Sequence, residues 1–133
     1  MKVKQVPGLA KSLPEHIDDA RKNYAPWDNL DFGDFHVEVY FDKYPVTKGH
    51  RLFVPVYPTT ELITDCFADA ISYGMRMVED KECEGFNVGF NFGKVAGQTV
   101  PWPHVHLILR RKDDCEDPTG GVRNVIPGKG CYN

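Results

Sequence analysis

No C-x-x-C pair and no zinc-ribbon spacing occurs among the four cysteines, Cys66, Cys83, Cys115 and Cys131, so reduced thiols in a cytoplasmic protein are the expectation. No signal peptide is expected either, because Met1 to Ala10 holds lysines, a Pro and a Gly but no apolar h-region. Nothing approaches the length of a membrane span. Charge of one sign is missing as well: 16 basic against 19 acidic residues leave a formal net charge of −3, and no general field draws nucleic acid or an anionic membrane. Neither is expected as a partner, and any bound anion must be held by local donors. There is no internal repeat and no low-complexity interior. What remains is a chain of 133 residues, expected to form one domain over residues 1–133 with a core that needs no staples.

Hydrophobic periodicity gives the elements. Residues 1–11 read as an irregular arm. Ser12-Leu13-Pro14-Glu15 has the form of a capping box, with Ile17, Ala20 and Tyr24 following at helical spacing, which predicts a short helix from about Leu13 to Tyr24. Ala25-Pro26-Trp27 ends it, and Asp28 to Asp34 reads as a loop. Phe35 to Phe41 alternates as a half-buried strand, with Phe35, Val37, Val39 and Phe41 opposite His36, Glu38 and Tyr40. A turn-rich Asp42 to Gly49 connects it to a second extended run, His50 to Val56, as an antiparallel hairpin. Thr59 is the expected N-cap of a long helix running to Lys81, whose Ile63, Phe67, Ala70, Ile71, Gly74, Met77 and Val78 make a core-facing stripe. Gly85 to Asn91 predicts a third strand, and Lys112 to Asn133 a C-terminal extension lying on the surface or on another subunit.

The chemistry is concentrated in Gly97-Gln98-Thr99-Val100-Pro101-Trp102-Pro103-His104-Val105-His106-Leu107-Ile108-Leu109-Arg110. Read as a loop running into a strand, alternation sets Val100, Trp102, His104, His106, Ile108 and Arg110 on one face. Two imidazoles then stand roughly 7 Å apart along the strand, close enough for both to touch one phosphate. A neutral imidazole is an unprotonated nucleophile at neutral pH, and a second one beside it can donate to phosphate. Gly97, Gln98 and Thr99 supply donors for phosphate oxygens, with Asn91 adding another from the neighbouring strand. His16 and His36 read as solvated or structural.

These residues resemble the histidine triad (HIT) superfamily of nucleotide hydrolases and transferases. The likeness rests on Gly97-Gln98-Thr99-Val100 with His104-Val105-His106-Leu107-Ile108, on Asp42-Lys43-Tyr44-Pro45-Val46 with Gly49-His50 and Val54-Pro55, and on Gly89-Phe90-Asn91. Asp117-Pro118-Thr119-Gly120-Gly121-Val122-Arg123 with Val125-Ile126-Pro127 is similar to the tail of small microbial and viral HIT-like proteins. The resemblance implies an α+β domain with an antiparallel sheet of about five strands, one long and one short helix, and a homodimer. It implies a nucleotide substrate, a nucleoside phosphoramidate or a dinucleoside polyphosphate, and no cofactor. His104 is then the nucleophile that forms a nucleotidyl-histidine, His106 the third histidine, His50 the upstream one, and Asp42 the ribose acceptor with Lys43 beside it.

At Trp102 the family pattern calls for the first histidine. Indole offers one N–H donor and no acceptor, so it takes no part in proton transfer, and any relay with His50 must be absent or altered. Its backbone carbonyl remains available to fix the His104 tautomer. Tyr57-Pro58 is a second departure, where many relatives keep a basic residue or histidine. Two other readings stay open: a nucleotide-binding module that has lost catalysis through Trp102, and a metal site built on the imidazoles of His50, His104 and His106.

Overall fold

The computed structural model describes residues 1–22 and 27–130, with the Asp28 side chain left out. Five antiparallel strands form one sheet in the order β1-β2-β3-β5-β4: β1 is Trp27–Gly33, β2 Val37–Asp42, β3 Arg51–Pro55, β4 Gly85–Phe90 and β5 Val105–Arg110. A long helix, α2 (Thr60–Glu79), covers one face, and a single turn, α1 (Ile17–Ala20), sits on the other. The fold is α+β. Among the described residues no helix is long and apolar enough to cross a membrane.

Strand alternation divides the interior into two clusters. Val37, Val39, Phe53, Val105, Leu107 and Leu109 face α2 and meet its Ile63, Cys66 and Ala70. The opposite residues of the same strands, Tyr40, Leu52 and Val54, join Ile17, Ala20, Trp27, Val56 and Trp102 in the second cluster. Each large apolar side chain so removed from water contributes about 1.5–3 kcal/mol of transfer free energy, which is what holds α2 and the sheet together. Thr59 caps α2 as expected, its Oγ1 accepting the Leu62 N–H at 3.2 Å. Ile71, assigned to the core stripe, is instead 44% exposed, because Ala70 and Gly74 occupy the buried line of the helix.

Several elements differ from expectation for local reasons. Residues 28–33 lie in an edge strand rather than a loop: pairing with β2 and two register shifts accommodate the turn-forming Asp and Asn residues, and Leu30 and Phe32 stay half exposed. The capping box does not form. Ser12 bridges Gln5 instead, and the short helix starts at His16, whose Nδ1 accepts the Asp18 N–H at 3.1 Å. Of the rest of the expected helix, Leu13 to Glu15 is not helical and Arg21-Lys22 forms a turn, while Asn23-Tyr24 lies outside the described residues, as do Ala25-Pro26. Asp34 Oδ1 accepts the N–H groups of His36 and Val37, an Asx-type turn that delays the start of β2 and leaves Phe35 exposed.

The N-terminal arm is irregular but anchored: Val3 N donates to the Pro58 carbonyl at 2.7 Å and Lys94 N to that of Pro7 at 2.9 Å. Beyond β5, a 3-10 turn at Gly121–Val125 brings the C-terminal extension back against β4.

Candidate active site

The face of the sheet that α2 does not cover gathers the reactive residues. Asp42 ends β2, His50 immediately precedes β3, His104 precedes β5, His106 lies within it, and Asn91 follows β4. The strand carrying the histidines begins only at Val105, five residues later than alternation suggested. Pro101 and Pro103 have no N–H to give a neighbouring strand, so the backbone from Val100 to His104 is irregular. The two imidazoles still share one side, with ring centroids 5.0 Å apart.

Hydrogen bonds fix the tautomers. His104 Nδ1 lies 2.8 Å from the Trp102 carbonyl, an oxygen that can only accept, so the ring proton is on Nδ1 and Nε2 carries a free lone pair. That carbonyl is held in place because the Trp102 side chain is fully buried and its indole N–H donates to the Pro55 carbonyl at 3.0 Å. On His50, Nδ1 accepts the Val46 N–H at 3.1 Å, which puts the ring proton on Nε2. Nε2 faces His106 Nδ1 at 3.0 Å, with Asp42 Oδ2 at 3.4 Å; His106 therefore carries its proton on Nε2. The Asp42 carboxylate is fixed from the other side by the Tyr44 N–H at 2.7 Å.

Burial keeps all three rings neutral near pH 7. His104 is lowered to about 4 by desolvation, against the opposing pull of the Trp102 carbonyl. His50 and His106 are lowered too, chiefly by burial, while the Asp42 carboxylate pulls both upward. The result is one unprotonated nucleophile beside a hydrogen-bonded imidazole pair that an acid supports.

A cleft of about 280 Å³ opens over these groups, lined by Asp42, His50, Asn91, Gly97, Thr99, His104 and His106 among others. Gly97 adopts φ +92°, a left-handed conformation that a side chain would resist, and this turns the loop toward the cleft. Gln98 is placed differently from a phosphate donor. Its side chain is buried and engaged within the loop, Oε1 accepting from Gly93 N at 2.8 Å and Nε2 donating to the carbonyls of Val100 and Pro101. Lys43 is exposed and does not line the cleft. Asp42 lies at the floor, turned to the histidine pair.

Asp42, His50 and His106 bring ligand atoms within 4.8 Å of one another, a grouping able to approach a cation. The Val46 N–H opposes it, since a metal on His50 Nε2 would move the ring proton to Nδ1, against a donor. His104 stands outside this group.

A model of the HIT domain matches residues 32–113. The chain belongs to the HIT family. It is 33% identical over 103 residues to an uncharacterised HIT-like protein of Methanocaldococcus jannaschii, covering 71% of this chain and 78% of that protein. It is 35% identical over 77 residues to the adenosine 5'-monophosphoramidase of Saccharomyces cerevisiae, covering 56% of this chain but only 49% of the yeast enzyme. Among solved structures, a HIT family protein of Bacillus anthracis superposes with a TM-score of 0.57 at 28% identity, covering 71% of each chain. This HIT chain thus has relatives among nucleotide hydrolases.

Sequence reasoning missed the Val46 N–H that sets the His50 tautomer, because a backbone donor leaves no compositional trace. It also missed Asn87, Gly121 and Val122, which the fold brings to the same face as the histidines.

Proposed function

We propose that the chain is a nucleotide hydrolase or nucleotidyl transferase acting on a nucleoside phosphoramidate or dinucleoside polyphosphate through a nucleotidyl-histidine at His104. The single observation that carries this reading is the 2.8 Å contact between His104 Nδ1 and the Trp102 carbonyl, which leaves Nε2 unprotonated beside His106 in an open cleft.

In the first step the Nε2 lone pair forms a bond to the α-phosphorus and the bond from phosphorus to the leaving atom breaks. Substrate binding brings one proton from solvent onto the His50–His106 pair, the anionic phosphate and Asp42 offsetting the burial that keeps the free rings neutral, and the departing electron pair takes that proton through His106 Nε2. In the second step water attacks phosphorus, returns a proton to the pair, and the N–P electrons go back to His104. The Thr99 backbone N–H and the Asn91 amide are assigned to the phosphate oxygens, while the Gly97 N–H is engaged with the Lys94 carbonyl at 3.0 Å and the residue serves by turning the loop. The Gln98 side chain positions their loop, and Asp42 orients the imidazole pair, serving the ribose only where a hydroxyl reaches it. Lys43 is assigned no contact with the nucleotide.

The same reading takes the protein as a cytoplasmic homodimer with one HIT domain followed by its extension, and light scattering of the purified chain tests the dimer. The alternative, a binding module silenced at Trp102, draws on the absence of a triad histidine there. Turnover of adenosine phosphoramidate separates the two. The hydrolase reading expects turnover that His104→Ala lowers by at least about a thousandfold, the scale of losing a nucleophile. Nucleotide binding with no turnover in the unaltered protein contradicts it.

A further inference from the structure

The turn between β2 and β3 carries Asp42 at its start and His50 at its end, and it is fastened to the strand that holds His106. Pairing of β3 with β5 joins Arg51 to Leu107, Leu52 to His106 and Phe53 to Val105. β5 runs on to Arg110 with β4 beside it, but the pairing with β3 does not follow it past Leu107. There a side chain takes over: Thr47 Oγ1 donates to the Leu109 carbonyl at 2.7 Å. Gly49 brings the same turn onto the same residue. It adopts φ +88°, and a Cβ there would come within 2.9 Å of Leu109 Cδ1. On the exposed side Arg111 Nη1 donates to the Lys48 carbonyl at 2.8 Å.

Within the turn, His50 is held at three points. Its N–H donates to the Thr47 carbonyl at 3.1 Å, its carbonyl accepts from Asp42 N at 3.0 Å, and its Nδ1 accepts from Val46 N at 3.1 Å. His50 is therefore placed by the turn, whereas His106 is placed by β5. The 3.0 Å contact between His50 Nε2 and His106 Nδ1 depends on how those two segments dock, and a hydrogen bond weakens steeply once it is misaligned. Thr47, half-buried, joins the two from inside the turn: its carbonyl holds His50 and its hydroxyl holds β5 three residues beyond His106.

We propose that Thr47 is a positioning residue for proton delivery to the leaving group: its hydroxyl clips the turn to β5 and keeps His50 Nε2 on His106 Nδ1, which holds the transferable proton on His106 Nε2. The inference rests on the nucleotidyl-histidine reading. A His106 Nδ1 deprived of that donor is free to take the ring proton itself, and the resulting tautomer presents a lone pair, not a proton, to the leaving atom. The consequence depends on what leaves. When the P–N bond of a phosphoramidate breaks, the electron pair stays on nitrogen and collects the proton from His106 Nε2. When the P–O bond of a 4-nitrophenyl ester breaks, the pair stays on the phenolate oxygen and is delocalised into the ring, so no proton is required. Attack by His104 is the same in both. Thr47 therefore bears on the first reaction and not on the second.

The test measures kcat/KM, which reports the step that forms the nucleotidyl-histidine, for adenosine phosphoramidate and adenosine 5'-(4-nitrophenyl) phosphate. Thr47→Val keeps the side-chain shape and loses the hydroxyl, while Thr47→Ser keeps the hydroxyl. In Thr47→Val the phosphoramidate value is expected to fall at least about tenfold, part of the roughly hundredfold or more that a placed general acid supplies, with the nitrophenyl value within about threefold. Thr47→Ser is expected to stay within about threefold of the unaltered chain on both substrates, and AMP to inhibit every variant with a Ki changed by no more than about twofold. Gly49→Ala, which pushes the turn off Leu109 and spares the Thr47 hydroxyl, is expected to show the same selective loss. A fall of equal size on the two substrates in Thr47→Val and Gly49→Ala, no fall on either, or a loss in Thr47→Ser as deep as in Thr47→Val overturns the clip and leaves the hydrolase reading intact. No turnover of either substrate by the unaltered chain overturns both.

Discussion

Trp102 serves the site through its backbone and the core through its side chain. Its carbonyl sets the His104 tautomer, and its indole, fully buried against Tyr40, Leu52 and Val54, fixes that carbonyl through the bond to Pro55. Trp102→Phe leaves the Pro55 carbonyl without its donor in a buried position, so a loss of about 1–3 kcal/mol is expected in urea unfolding, with kcat changed far less than by His104→Ala. Trp102→His is expected to gain no rate, because His50 already spends Nε2 on His106 and Nδ1 on Val46; a severalfold rise would show that a missing relay limits catalysis. The His104 ring lies near 4 because it is buried, so the acidic fall in kcat/KM should centre near pH 4. An acidic limb centred near the ordinary histidine value of about 6.5 would contradict that environment.

At the scale of elements, α2 is the clearest case of a structure readable from composition. Thr59 as cap and the spacing of Ile63, Ala70 and Gly74 were sufficient, and Thr59→Ala should cost about 1 kcal/mol in unfolding free energy without affecting turnover. The β2–β3 hairpin was legible for the same reason, strict alternation with both faces buried. The failures share a cause. β1 is an edge strand whose existence is decided by a partner, so its Asp and Asn residues argued locally for a loop. The Ser12 capping box lost to the bridge between Gln5 and Ser12, on an arm that the Val3 N–H to Pro58 and the Thr60 N–H to Met1 tie to the start of α2. The histidine pair is visible from alternation, but Pro101 and Pro103, with no N–H to give a neighbour, hold the strand's start back to Val105. Gln98 was assigned to phosphate from its place in the motif, and only the loop geometry reveals that its amide is already engaged.

For the whole molecule, the site is a meeting of distant segments. Asp42, His50, His104 and His106 come from three strands and their ends, so sequence proximity could reveal only the His104–His106 part. Gathering three imidazoles into a desolvated face also links stability to pH. Each is held below its ordinary value in the folded state, so on acidification the unfolded chain takes up protons first. Folding stability should therefore be fullest above about pH 6.5 and decline as pH falls toward 4, which urea midpoints at pH 7 and pH 5 will register. A midpoint that is unchanged or higher at pH 5 would mean that these rings are not held neutral by the fold.

Intact mass spectrometry after rapid mixing with adenosine phosphoramidate, stopped in denaturant at neutral pH so that an acid-labile phosphorus–nitrogen bond survives, addresses His104 directly. The protein is predicted to gain one adenylyl group, mapped by peptide fragmentation to His104 and absent from His104→Ala. An adduct on His106 or His50, or turnover that persists in His104→Ala, would contradict the assignment.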